Sequence, residues 1–189
     1  MIRDLILKSR SCRRFYEQSP IEIDTLKQLV DLARQSPSAR NAQPLKYILS
    51  NEPKKNGLIF STVTWAAYLK DWGGPKIGER PAAYIIMLGD KSISVTYGID
   101  PGIAAQSIML GACELGLGGC IMTSVQKADL AQKLNIPDPY EVILAIALGK
   151  PRETIVLEKV GPEGDIKYWR DADGTHHVPK RDLDDLIVG

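Results

Sequence analysis

Residues 100–120 read D-P-G-I-A-A-Q-S-I-M-L-G-A-C-E-L-G-L-G-G-C. Asp100 suits a helix N-cap, Pro101 suits the first helical position, and Gly116 suits a C-terminal stop. Between them the apolar residues fall on nearly every face rather than on one stripe. A helix of that kind has no side to give to water, so it belongs at the centre of a fold.

The neighbouring segments fit around such a helix. Ala82–Leu88 (A-A-Y-I-I-M-L) and Val142–Leu148 (V-I-L-A-I-A-L) are short, unbroken apolar runs of the kind that form buried strands. Cys120-Ile121-Met122 makes a further short strand, and Leu45–Leu49 another. Leu26, Leu29, Val30 and Ala33 recur at i, i+3, i+4 and i+7, one face of an amphipathic helix that must stop near Pro37. Residues 2–9, 53–70 and 126–135 complete the predicted helices, and Asp71–Pro75 is a turn cluster. Helices and strands alternate, and the strands are too few for a sandwich. The expected class is α+β: a small, mostly antiparallel sheet wrapped by helices around one apolar central helix.

Residues 1–150 carry this pattern. Residues 151–189 do not: charged and turn residues dominate, with Tyr168, Trp169 and Val178 as isolated anchors. About 40 residues without a core pattern are unusual inside a compact domain, so an arm that drapes over it or embraces a second subunit is expected.

Bulk properties narrow the function. The chain has 189 residues, a formal net charge of +1 and 25% charged residues, which gives no global attraction to nucleic acid or to anionic membranes. Cys12, Cys113 and Cys120 are odd in number and form no C-x-x-C pair, which fits a reducing compartment rather than a disulfide framework. No run approaches the roughly 18 apolar residues of a membrane helix. The N-terminal stretch has Asp4 and no long apolar core, unlike a signal peptide. The expectation is a soluble, cytoplasmic protein whose cationic chemistry is local.

That chemistry has an obvious place. Arg10-Ser11-Cys12-Arg13-Arg14-Phe15 sets three arginines and a serine in five positions, and the arginine fork makes bidentate, charge-assisted bonds to phosphate. A solvated basic loop is the plainer reading. The second loop, Pro37-Ser38-Ala39-Arg40-Asn41-Ala42-Gln43-Pro44, changes the balance, because its amides and hydroxyl suit the edge of a heteroaromatic ring. His176-His177 has no carboxylate or cysteine at ligand spacing, so a metal is not expected and surface histidines are. Cys12 lacks a matched histidine nearby and reads as a packing residue. Trp65, Tyr68 and Trp72 read as core or interface, with a substrate-stacking lid as the alternative.

In this order, R-S-x-R-x-F, an amphipathic helix, P-S-x-x-N-x-Q-P and a strand resemble the nitroreductase family of FMN-dependent oxidoreductases. G-I-A-A-Q-S-I-M-L-G-A followed by G-L-G-G-C resembles that family's central dimer helix and next strand. Y-W-R-D-A-D-G-T-H-H-V-P-K-R resembles the C-terminal arm of a short branch. The likeness covers nearly the whole chain.

The resemblance implies an intertwined homodimer with FMN at the interface. Arg10, Ser11 and Arg13 would meet its phosphate, with Arg14 beside them. Lys180 and Arg181 match a basic pair that closes over the phosphate, although a solvated turn explains them equally well. Pro37, Ser38, Ala39, Arg40, Asn41 and Gln43 match the loop against the ring and ribityl chain, and Met122, Thr123 and Ser124 the stretch beside the reactive nitrogen. Arg13 or Arg40 would supply positive charge at the pyrimidine end, and no protein acid–base residue is required. The implied activity passes electrons from NAD(P)H through the flavin to a small acceptor (nitro compound, quinone or enone) by a ping-pong mechanism. Oxidative cleavage, dehalogenation or a non-catalytic flavin sensor are the alternatives. Two departures bear on the ring environment: Arg40 stands where small residues are common, and Leu45 where an aromatic is usual.

Overall fold

A computed structural model describes residues 1–189. Its main sheet has four strands, β1 (Leu45–Ser50), β2 (Ala83–Asp90), β3 (Gly118–Met122) and β4 (Tyr140–Gly149), in the order β1-β2-β4-β3 with every pair antiparallel. The two apolar runs are therefore the central strands, and β1 and β3 are the edges.

Both faces of the sheet are covered, which is why β2 is buried at every position. Ala83, Ile85 and Met87 point to one face with Leu144, Ile146 and Leu148, where α2 (Ile23–Arg34) and α4 (Asp100–Glu114) close the core. Tyr84, Ile86 and Leu88 point to the other face with Ala145 and Ala147, against Phe15, Ile59, Trp65 and Leu130. Val142 joins this second face although its number is even. A bulge places Leu144 opposite Met87 but Val142 opposite Leu88, and the extra residue flips the alternation.

The central helix behaves as its composition requires. Ala104, Ala105, Ile108, Met109 and Ala112 are buried against the sheet and against α2, from which Leu26, Leu29 and Ala33 of the predicted stripe face inward with Val30 partly buried beside them. Gly111 allows the close approach of the two helices: a Cβ there would lie 2.3 Å from Leu32 Cδ1 and 3.1 Å from Leu29 Cδ2. The helix starts one residue away from the expected place. Ile99 occupies the cap and Asp100 is already helical, which frees the Asp100 carboxylate for another task.

Two other expectations are corrected. The helix predicted over 53–70 is α3 (Pro53–Phe60) only. The β-branched Thr62-Val63-Thr64 run leaves the helix, and Val63 bridges to Val125. The arm after residue 150 is also more ordered than its composition suggested. β5 (Ile155–Lys159), β6 (Trp169–Arg170) and β7 (His176–Lys180) form a second sheet in the order β5-β7-β6, with β5 and β7 parallel. Apart from the fully buried His176 its strands are half-buried at most, too short and too irregularly exposed to show a period of two. α1 (Ile2–Lys8) and α5 (Lys127–Lys133) complete the fold.

Candidate functional site

The arginine segment runs beside the edge strand β3. The Cys12 N–H donates to the Gly119 carbonyl at 2.8 Å, and Ser11 forms an isolated parallel bridge to the same glycine. Cys12 and Phe15 are the buried anchors, 2% and 0% exposed, and their insertion leaves Arg10, Ser11, Arg13 and Arg14 on the outer side. The Cys12 thiol is pushed up to about 12, chiefly by burial and then by the Glu153 charge, so it is a packing group.

The arginines have different fates. Arg10 Nη2 donates to the Ile6 carbonyl at 2.5 Å, and its Nε is buried without a partner. Arg13 Nη1 donates to the Ser11 carbonyl at 3.2 Å and lies 3.2 Å from His176 Nε2, with the guanidinium 4.7 Å from the Tyr168 ring centre. Arg14 is different: its Nε and Nη2 donate to the two oxygens of buried Glu79 at 3.0 and 2.6 Å. That pair holds the Glu79 carboxyl below its usual range. Arg14, expected near the phosphate group, is thus spent on a structural ion pair.

Beyond Arg13 a cleft of about 190 Å³ opens along the end of β3. Arg13, Thr64, Trp65, Tyr168 and residues 120–124 line it. Met122 is buried, whereas Thr123 and Ser124 are exposed. The Thr64 N–H donates to the Ser124 carbonyl at 3.0 Å, which fixes the wall of the cleft. Trp65 sits edge-on to Trp72, with centroids 6.5 Å apart, and Tyr68 packs against Tyr168 at 5.0 Å. The aromatic group flagged in the sequence is therefore divided, with Trp65 in the wall and core and Tyr68 at the rim.

The loop Pro37–Pro44 lies elsewhere. It leads into β1, the opposite edge of the sheet, three strand spacings or roughly 14 Å from β3. Ser38 Oγ donates to Asp100 Oδ2 at 2.6 Å, and the Ala39 N–H donates to Asp100 Oδ1 at 3.0 Å. Ser38 Oγ in turn accepts the Gln43 N–H at 2.9 Å. This anchoring holds Arg40, Asn41 and Gln43 at φ of 54°, 54° and 51°, left-handed values that are uncommon for residues other than glycine. A cavity of about 220 Å³ lies beside the loop, lined among others by Ser38, Gln43, Tyr47 and Asp100. Arg40 is exposed and outside it.

Lys180 and Arg181 are exposed at the far end of β7, where Lys180 stands in register with Lys159. His176 begins the same strand at Arg13, so Lys180 is about 13 Å further along. Within one chain the basic pair and the arginine segment do not meet. The histidines are also not the surface pair expected. His176 is 0% exposed, and burial first, then the Arg13 and Arg170 charges, lower its pKa to about 4. His177 is bonded to Asp171 and Glu158, which raise its pKa. Asp100, Glu153 and His176 are the residues that sequence reasoning missed. Each acts through a partner at least 61 residues away, and no local spacing carries that.

An antiparallel sheet closed by an apolar helix, with an arginine segment along one edge and a strained polar loop at the other, defines a class of fold that comparison identifies. The nitroreductase family model matches residues 6–150, and the chain belongs to the nitroreductase family. A nitroreductase family protein from Clostridium novyi NT is 26% identical, with a TM-score of 0.65 over 80% of this chain and 86% of that one. An FMN-dependent nitroreductase from Clostridium difficile R20291 is 24% identical, with a TM-score of 0.65 over 92% and 94%. A nitroreductase family protein from Streptococcus pneumoniae TIGR4, 15% identical, matches over 100% of both chains with a TM-score of 0.72. The likeness of fold thus includes the C-terminal arm.

Proposed function

We propose that the protein is an FMN-dependent oxidoreductase that takes electrons from NAD(P)H and delivers them to a small organic acceptor such as a nitro compound, quinone or enone. In this reading it acts as a homodimer with two shared sites and a ping-pong order of substrates. The observation that carries the reading is the β3 edge. Arg10 and Ser11 stand at its start, and Arg13 and a cleft stand at its end, all on one line. The family membership and the name of the Clostridium difficile relative support the same cofactor.

The residues fit FMN on their own chemistry. Arg10 has a buried Nε without a partner, and the Arg13 guanidinium is held by neutral acceptors, so both retain charge for an anion. Arg10 and Ser11 would hold the phosphate, and Arg13 would place positive charge at the pyrimidine end of the ring. The backbone of Met122, Thr123 and Ser124 would flank the ring. Bound FMN supplies the redox chemistry, accepting a pair of electrons from one substrate and giving it to the next. The protein's part is to orient, to exclude water and to stabilise negative charge.

The loop Pro37–Pro44 supports the dimer. Its Ser38, Ala39, Asn41 and Gln43 lie across the sheet from Arg13, which supports a site completed by the loop of a second copy. Lys180 and Arg181 are assigned to the same closure, again from across the interface.

An absorbance spectrum of the freshly purified protein tests the proposal, followed by anaerobic NADH and then NADPH. A yellow protein that bleaches with either is expected. A flavin spectrum that neither reductant bleaches would point to a sensor, and a protein that FMN cannot make yellow would overturn the reading.

A further inference from the structure

The fold treats its arginines unequally. Arg14 is neutralised by both oxygens of Glu79, and Arg170 donates to Glu153 Oε2 at 2.7 Å. Glu153 is also next to Arg13, and its side chain is 0% exposed. Yet its Oε1 accepts the backbone N–H of Arg13, at 2.5 Å, and not the guanidinium. The head of Arg13 instead rests on two neutral acceptors, the Ser11 carbonyl and His176 Nε2, and over the face of Tyr168.

His176 is placed for that task by burial and packing, with its Nδ1 buried and without a partner. It is fully buried, its backbone N–H donates to the Thr154 carbonyl at 2.8 Å, and its ring packs 5.2 Å from Tyr168. Accepting an N–H from Arg13 at Nε2 requires a neutral imidazole with its proton on Nδ1. Burial and the two nearby guanidinium groups keep the ring neutral at physiological pH, with a pKa of about 4. A carboxylate at this position would hold Arg13 more firmly, but it would cancel the charge that an anionic ligand needs. A neutral acceptor holds the guanidinium in place and leaves its charge intact.

We propose that His176, delivered by the C-terminal arm, is a positioning residue that aims the Arg13 guanidinium at the cleft beside residues 120–124 without neutralising it. The proposal rests on the flavin reading above. It gives the arm a role at the site of its own chain, separate from any closure by Lys180 and Arg181 across an interface.

Three variants of the holoprotein test it: His176→Gln, His176→Leu and His176→Glu, read by FMN dissociation constant and by flavin midpoint potential. His176→Gln keeps a neutral acceptor and is expected within about twofold of the parent. His176→Leu removes the acceptor and should weaken FMN about tenfold, the size of one charge-assisted contact. His176→Glu keeps an acceptor but pairs with Arg13. It should bind FMN at least as weakly as His176→Leu. It should also favour the oxidised over the reduced cofactor about tenfold, a negative shift of about 30 mV for two electrons. A purely structural role would not shift the potential in the Glu variant while leaving the Gln variant at the parental value.

A second measurement needs no variant. In the apoprotein the nitrogen signals of His176 at pH 7 should show protonated Nδ1 and unprotonated Nε2; the other tautomer, or a charged ring, overturns the proposal. Wild-type protein that takes up no FMN overturns this role and the function together. Protein that takes up FMN but shows the three variants alike overturns only the role of His176.

Discussion

Cys12 lies next to Arg13 in sequence, and from sequence alone a neighbouring cation suggests an acidic, reactive thiol. The fold opposes that suggestion and agrees with the packing role read from the lack of a partner histidine. The side chain turns inward against Gly118, and burial together with Glu153 pushes the thiol up to about 12. Native protein at pH 8 should therefore react with iodoacetamide at Cys12 roughly a thousandfold more slowly than unfolded protein does, because so little thiolate is present. Peptide mapping after timed alkylation reads this, and equal rates would show the thiol to be accessible. Asp100 is the opposite case, a residue that the sequence made ordinary. It reads as a helix cap, but a one-residue shift of the helix start sends its carboxylate to the Ser38 hydroxyl and the Ala39 N–H. Asp100→Ala loses two charge-assisted bonds in a buried place and should cost about 2–4 kcal/mol in urea unfolding. Asp100→Asn should recover part of that loss. No helix pattern could have disclosed this, since the partners lie 61 and 62 residues away.

At the scale of elements, the parts that were legible are those whose burial is periodic or complete. The central helix, the α2 stripe and strands β2 and β4 announce themselves because nearly every face, or every third and fourth residue, is apolar. The arm was not legible because β5, β6 and β7 bury little, and β5 pairs with a strand that lies 16 residues beyond its own end. What ties the arm to the body is polar: His176 on Arg13, Glu153 on Arg170, and His177 between Asp171 and Glu158. These contacts make the stability of the protein depend on pH. His176 stays neutral in the fold down to about 4, whereas the unfolded chain takes up a proton near 6.5. Between those values the unfolded state binds the extra proton, so stability falls as the pH drops from about 6.5 to about 4. His177 has the opposite sign. Its raised pKa gives stability that is fully present below about 6.5 and is lost at higher pH, so it adds no slope in this window. Asp171 and Glu79, both lowered, begin to lose their contributions only near the ordinary carboxylate pKa and below. Urea unfolding between pH 6.5 and 5 should therefore show a slope in the wild type that His176→Gln removes. Arg13, Arg170, Glu153 and His177 are the charged and titratable neighbours that set its size. An unchanged slope in the variant would assign it to another group.

The whole molecule poses a question that single residues cannot answer, since its two best candidate groups occupy opposite edges of one sheet. Arg10, Ser11 and Arg13 flank β3, and the strained loop feeds β1. The motifs were readable because each is local and contiguous. Their separation was not, because strand order is a property of the sheet rather than of any segment. The proposed shared dimer site turns this separation into a sharp prediction. Arg13→Ala damages only the half supplied by the β3 edge, and Gln43→Ala only the half supplied by the loop. Each homodimer then has two damaged sites. In a mixed dimer the two lesions gather in one site, which leaves the other built from an intact β3 edge and an intact loop. Unfolding and refolding the two variants together in equal amounts should give about half mixed dimers, and so restore about a quarter of the parental FMN sites. If all the contacts came from one chain, every site would still carry one lesion and mixing would restore none. Titration of the co-refolded protein with FMN, beside each variant refolded alone, separates the two cases. Recovery near a quarter establishes a cross-chain site, and no recovery above the separate variants would require the loop and the arginine segment to bind different ligands.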